Sequence, residues 1–205
     1  MKIYKIRTNY GPKWAWAGGW GRFADPISFL KPIELESKLA FWKLNPMAPG
    51  ILIEDTPAWA WPDFLGSGGA PPNFFVSRKI LDSLASEGIP YGRATPIPVG
   101  KVDARRLKDR PPPEYFVLEA EQGIRFNFSA MGVPHDEQGK ALVPASQWPR
   151  KEIFDAASWN GLDLLAYPEV LFAGPNTSLH CTDRIVELAK RDGWTNVEFK
   201  WRYVE

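Results

Sequence analysis

With 205 residues and 44% hydrophobic content, the chain is long enough for one domain with a sizeable core. Twenty-five basic residues against 24 acidic ones leave a net charge of +1. That balance excludes the strong basic excess of a dedicated nucleic-acid binder and the acidic bulk of a nucleic-acid mimic. The lone cysteine, Cys181, excludes an internal disulfide.

Residues 2–7 are predicted as an opening strand. They lack the apolar run of a secretory signal, and no window approaches the roughly 18–20 apolar residues of a membrane span. The expectation is a cytoplasmic protein without a membrane partner. Residues 11–21 follow as a glycine-and-tryptophan loop carrying Trp14, Trp16 and Trp20. Segments 40–44 and 51–54 read as short strands. The prolines and glycines from Pro46 to Pro72 are turn and loop chemistry, in a chain with 20 prolines and 10 tryptophans. They place a boundary near residue 70, dividing a single domain (1–205) into a Trp/Pro-rich lobe (1–70) and a body (71–205).

The body opens on a unit that occurs twice. In the first copy, Phe74, Phe75 and Val76 are β-prone, Ser77 is a preferred N-cap, and Ile80, Leu81, Leu84 and Ala85 repeat at helical spacing before Gly88. In the second copy Leu179 and Cys181 are the strand positions and Thr182 is the cap. Ile185, Val186, Leu188 and Ala189 form the stripe, and Gly193 ends it. Ser77 aligns with Thr182 and Gly88 with Gly193 at one offset, without a gap. Asp183 in the first turn and Lys190 and Arg191 in the last complement the helix dipole.

After the first copy, the prolines around Ile97 favour a sheet edge. Residues 104–113, basic and ending in three prolines, read as an exposed linker. Segments 115–118 and 124–128 are predicted as strands, joined as a hairpin at Gln122-Gly123. Segments 163–166 and 170–172 are further apolar runs. After the second copy, Val197, Phe199, Trp201 and Tyr203 alternate with Glu198, Lys200 and Arg202, the clearest strand in the chain. Strands punctuated by isolated helices give an α+β fold, with a mixed or antiparallel sheet built around two equivalent strand–cap–helix units.

Reactive groups are sparse. A nucleophile elbow needs small neighbours, but Val76 and Arg78 flank Ser77, and capping accounts for both copies at once. His135 sits in a polar turn. His180 and Cys181, adjacent on a strand, point to opposite faces, so no metal set is evident. No phosphate loop or other cofactor motif is present. Glu119 and Glu121 share one face if the strand from Tyr115 continues, and paired carboxylates serve acid–base hydrolysis. Glutamates so placed before a turn are more often a solvated strand end, and that reading is preferred.

Trp14 with Trp16, and Trp59 with Trp61, are spaced to share one side of an extended segment. Core packing, a protein-contact patch and a sugar-stacking platform all fit that spacing.

Taken from Phe74 through Gly88 to Val99, and again from Leu179 through Gly193 to Trp201, the paired units resemble bacterial immunity proteins of the families numbered eleven and forty-three. The resemblance covers roughly residues 70–205. His180-Cys181 departs from it, standing where the first copy has Phe75-Val76. It implies a non-enzymatic protein that occludes a cognate protein toxin, with no catalytic residue, cofactor, metal or nucleic-acid partner, and with oligomeric state left open. Trp14, Trp16, Trp20, Trp59 and Trp61 are then the candidate partner-binding residues. The competing readings are a small hydrolase using Glu119 and Glu121, and an aromatic-platform carbohydrate-binding module.

Overall fold

The computed structural model describes residues 1–9, 11–20, 51–67, 74–139, 141–143, 147–149, 151–166 and 179–205, with backbone alone at residues 18–20, 52, 67 and 119. The expected strand at 40–44 and the apolar run at 170–172 lie outside the described residues.

The fold is α+β, with its strands in two mixed sheets. One is six-stranded, in the order β11 (Leu164–Ala166), β12 (Leu179–Thr182), β1 (Ile3–Thr8), β13 (Val197–Val204), β10 (Ile153–Asp155), β9 (Arg125–Phe126). The other is seven-stranded, in the order β6 (Arg93–Ile97), β8 (Tyr115–Glu119), β5 (Phe74–Ser77), β4 (Phe64–Ser67), β2 (Trp16–Trp20), β3 (Ile51–Ile53), β7 (Val99–Val102). Helix α1 (Arg78–Ser86) follows β5 and α3 (Asp183–Arg191) follows β12. A single helical turn, α2 (Phe128–Met131), lies between them in sequence.

β6 and β7 are consecutive in sequence but occupy opposite edges of the seven-stranded sheet. Only Pro98 separates them, so the sheet curls until its two edges meet there. Proline has no N–H to donate, which suits the point where the chain changes strand partners. Its carbonyl still accepts from Ile51 N at 2.8 Å.

The duplicated unit extends beyond what aligns in sequence. The quartet β4-β5-β8-β6 has the same order as β11-β12-β1-β13. Phe64 pairs with Val76 as Leu164 pairs with Cys181. Ser77 pairs with Tyr115 as Thr182 pairs with Ile3, and Ile97 with Tyr115 as Arg202 with Ile3. The third strand of the second quartet comes from the start of the chain, so linear comparison cannot reveal it. β4 and β5 pair across residue 70, and segment 1–70 shares its sheet with the rest of the chain.

One apolar cluster joins both sheets to both helices. It takes Phe74 and Val76 from β5, Leu179 and Cys181 from β12, Ile80 and Leu84 from α1, and Ile185 and Leu188 from α3. Strand alternation sends Phe75 to a second cluster, within the curled sheet. It sends His180 to the outer face of the six-stranded sheet, edge-on to the Phe154 ring at 5.0 Å. β5 and β12 each have apolar side chains packed against both faces, which is why every position of the two strands is buried, His180 and Cys181 included. Full burial of each such apolar side chain contributes about 1.5–3 kcal/mol.

Several expectations are corrected. Residues 11–21 are not all loop, because Trp16–Trp20 form β2, paired with β3 and β4. No hairpin forms at Gln122-Gly123. β8 belongs to one sheet and β9 to the other, so this segment is a crossing between sheets. The run 124–128 yields only a two-residue strand, because the Asn127 side chain accepts from Ala130 N at 2.9 Å and starts α2. On α1, Ala85 is exposed and Ser83 is buried. Trp194, which donates Nε1–H to Ser83 Oγ at 3.3 Å, covers that side. Segment 104–113 is anchored as well as exposed, since Ala104 and Leu107 are fully buried. The edge position of β6 and the extent of β13 agree with the sequence.

Ser77 and Thr182 do stand at the N-cap positions in extended conformation, but neither side chain accepts from a helix amide. Each donates to a carboxylate instead. Ser77 Oγ donates to Asp63 Oδ1 at 3.0 Å, and Thr182 Oγ1 to Asp163 Oδ1 at 2.5 Å. An ionised acceptor makes the stronger bond, and each Asp is already in place because its carbonyl accepts from the same residue's backbone N.

Candidate functional site

The duplicated hydroxyls sit in scaffolding networks. Lys79 Nζ reaches Asp63 Oδ2 at 3.2 Å and the Gly193 carbonyl, just past α3, at 3.1 Å. Arg184, its counterpart, reaches Asp163 Oδ2 at 2.9 Å and the Glu87 carbonyl, at the end of α1, at 2.7 Å. Each helix therefore carries a cation at its start that neutralises the tail of the other. Gly88 (φ 63°) and Gly193 (φ 61°) take the left-handed conformation that ends each helix.

The tryptophans divide. Trp14 and Trp16 wall a pocket of about 360 Å³ whose other sides include Asn9, Thr56, Pro57 and Asn196. Ala15, between them, turns into the core of the curled sheet. Trp16 also lies flat against Gly66, where an added Cβ would fall 1.9 Å from the Trp16 ring. Trp59 is 45% exposed, and the Lys13 ammonium sits over both its ring (5.0 Å) and that of Trp14 (4.3 Å). The bridge between Trp14 and Ala60 holds the two segments together. Trp61 packs against the inner cluster and donates Nε1–H to the Arg110 carbonyl at 3.2 Å. Arg110 in turn donates to the Trp59 carbonyl at 2.8 Å. The side chain of Trp20 lies outside the described residues.

Asn196 is among the residues lining the pocket and has no counterpart in the sequence reading. It is the one described non-glycine residue with positive φ (60°), a conformation asparagine tolerates better than most. Its Nδ2 donates to the Phe64 carbonyl at 2.6 Å, and its own carbonyl accepts from Asn9 N at 3.3 Å. It thus joins β4 of one sheet to the end of β1 in the other. Among the described residues, neither Asn196 Oδ1 nor Thr56 Oγ1 has a hydrogen-bond partner, although both atoms are buried. The available signal was an asparagine preceding a strand just after a helix terminator. That pattern marks a corner but not a site.

Of the two carboxylates weighed as a catalytic pair, Glu121 is exposed and the side chain of Glu119 is not described. His135 is engaged locally, its Nδ1 donating to the Val133 carbonyl at 2.9 Å. Among the described residues no three histidine, cysteine or acidic side chains gather as a metal set, and no helix is long and apolar enough to cross a membrane. A second aromatic surface was missed. Trp201 and Tyr203 extend past the core end of β13, edge to face at 4.3 Å, and are 49% and 41% exposed. Val197 and Phe199, on the same face, pack inward.

No protein-family profile matches the chain, and no curated protein matches it significantly.

Proposed function

We propose that this chain is a non-enzymatic binding protein of the immunity type, protecting its own cell by occluding a cognate protein toxin. The observation that carries the reading is the fate of the repeated hydroxyls. Ser77 and Thr182 occupy matching places, and each commits its proton to a scaffold carboxylate whose paired cation, Lys79 or Arg184, bonds the end of the opposite helix. The repeat is thereby accounted for as framework, and recognition falls to the exterior. Trp59, exposed beside Lys13 and Trp14, has the character of an interface anchor, because tryptophan is enriched among binding hot spots.

The test is co-expression with the product of the adjacent open reading frame in a host that product kills. Survival, together with a stable complex of the two chains, is the expected result. Unprotected death with the chain expressed and folded overturns the reading. In the complex, Trp59→Ala should weaken affinity by about tenfold or more, the range for a hot-spot aromatic.

A further inference from the structure

We infer that the basic turn at residues 105–110 and the exposed Trp59 ring beside it form a cationic docking face for an acidic surface of the partner protein. The inference rests on the proposed protein-binding role and specifies the chemistry of the bound face.

The turn is held rigid from beneath. Ala104 and Leu107 are fully buried in the cluster inside the curled sheet. Leu107 N donates to the Ala104 carbonyl and Arg110 N to the Leu107 carbonyl, each at 3.0 Å, closing two successive turns. Trp61 Nε1–H donates to the Arg110 carbonyl, and the Arg110 guanidinium donates to the Trp59 carbonyl. With the apolar positions turned inward, Arg105, Arg106 and Lys108 stand exposed. A cation on a fixed turn loses less freedom on binding than one on a free linker.

These cations are also uncommitted. Arg78, Lys79, Arg184 and Arg191 are each ion-paired within the fold. Among the described residues, Arg105, Arg106 and Lys108 have no ion pair. Residues 104–113 hold four cations against Asp109, a net +3, in a chain whose total is +1, so the remainder stands at −2. The segment is therefore positive on a body that is otherwise slightly acidic. Trp59, bonded to it through Arg110, adds a 45% exposed ring, and the Lys13 ammonium over that ring adds a further positive charge.

Carboxylates on a folded partner suit this face. Guanidinium is a planar fork that pairs a carboxylate through two parallel N–H bonds. A nucleic-acid strand calls for a longer cationic track with several rings on which bases stack. Here the track ends after two turns, one ring is exposed beside it, and the negative remainder of the chain opposes an extended polyanion. A compact acidic patch meets the turn and Trp59 without crossing that remainder.

The experiment titrates the intact, ¹⁵N-labelled chain at low salt with hexaglutamate, following the Trp59 indole N–H and the Arg105 and Arg106 Nε–H resonances. Hexalysine and an oligothymidylate of the same charge as hexaglutamate are run beside it. Saturable shifts at all three groups are expected with hexaglutamate, fading as salt is added, and hexalysine should leave them unmoved. A variant combining Arg105→Gln, Arg106→Gln and Lys108→Gln keeps the buried Ala104 and Leu107, and so the fold. It should bind hexaglutamate about tenfold more weakly, the combined effect of three exposed ion pairs. With the product of the adjacent open reading frame it should associate about tenfold more slowly at low salt, with dissociation little changed. Absence of saturable hexaglutamate binding, tighter binding of the oligothymidylate, shifts that leave Trp59 and the two arginines unmoved, or unweakened binding by the variant overturns the inference. Protection by the parent chain, with the variant associating at the parent's rate, refutes the docking face alone. Hexaglutamate binding without protection refutes the immunity reading alone.

Discussion

Asp63 and Asp163 hold equivalent positions at the starts of β4 and β11. Each accepts a hydroxyl from the residue before a helix and a cation from that helix's first turn. Asp63 carries the larger load, because Thr195 also donates to it from both its backbone N and its hydroxyl, at 2.9 Å each. The lysine and arginine are about half exposed and add little through charge alone. The hydroxyl and amide bonds are shielded. Asp163→Ala should therefore cost about 2 kcal/mol, within the roughly 1.5–3 kcal/mol of one bond to a charged group, and Asp63→Ala should cost more, because Ser77 and Thr195 lose their acceptor together. Urea unfolding monitored by tryptophan fluorescence measures both. Equal small losses would mean that the two networks are ornamental.

Gly66 owes its identity to Trp16. A methyl group there would meet Cζ3 at 1.9 Å and Cε3 at 2.6 Å, so the indole must move. The ring lies against the β2–β4 pairing, where Trp16 is the register partner of Gly66. Gly66→Ala is expected to cost about 2–3 kcal/mol, as overpacking does. The same substitution in a Trp16→Leu background should cost less than half as much, because the obstructing ring is gone. Thermal unfolding of the two single variants and the double variant gives the coupling.

What the sequence made legible is the part of the fold written in contiguous residues. Helical spacing at Ile185, Val186, Leu188 and Ala189 and the alternation of β13 are local patterns, and both elements appear where that spacing puts them. The matching of the two units was visible only from strand to glycine. Their third strands, β8 and β1, stand at unrelated distances along the chain, and pairing between distant strands leaves no local trace. Asp63 and Asp163 were missed for the same reason, because each stands just before the neighbouring strand, β4 or β11, and meets its hydroxyl only through the ladder. Within the pocket, Trp14 and Trp16 were legible as a same-side pair. Asn196 and Thr56 contribute single atoms from distant segments, and no spacing rule gathers them.

Cys181 provides a reporter of global unfolding. Its side chain is fully buried in the central cluster, and burial raises its thiol pKa well above 9.0, with Asp163 and Asp183 adding to the effect. The thiolate is the reactive form, so the native state presents neither access nor nucleophile. Labelling by Ellman's reagent should be slow in buffer and should rise with urea in parallel with loss of fluorescence. Fast labelling of the native protein would show that β12 opens locally without the rest of the fold. Asp163→Ala should accelerate labelling by about 30-fold, the opening equilibrium change that corresponds to about 2 kcal/mol.

Tyr115 sets the alkaline limit. Its hydroxyl donates to the Pro62 carbonyl at 2.7 Å beneath the curled sheet, and the ring packs at 6.5 Å from Trp61. Burial, reinforced by Asp63, raises its pKa well above 10.0. The folded state therefore keeps the phenol protonated where the unfolded chain releases the proton. The associated stability is fully present below 10.0 and declines as pH rises from there toward the folded-state value. Tyr4 adds a change of the same sign, because the bond it donates to Asp183 Oδ1 at 2.8 Å raises its pKa as well. Tyr115→Phe should lose about 1–2 kcal/mol at neutral pH, since the Pro62 carbonyl is left without its donor. The variant should then lose less than the parent on going to about pH 11, retaining only the Tyr4 contribution among these two phenols. Urea midpoints at neutral pH and at about pH 11 decide the matter. Parallel declines in the two proteins would assign the alkaline transition to groups other than Tyr115.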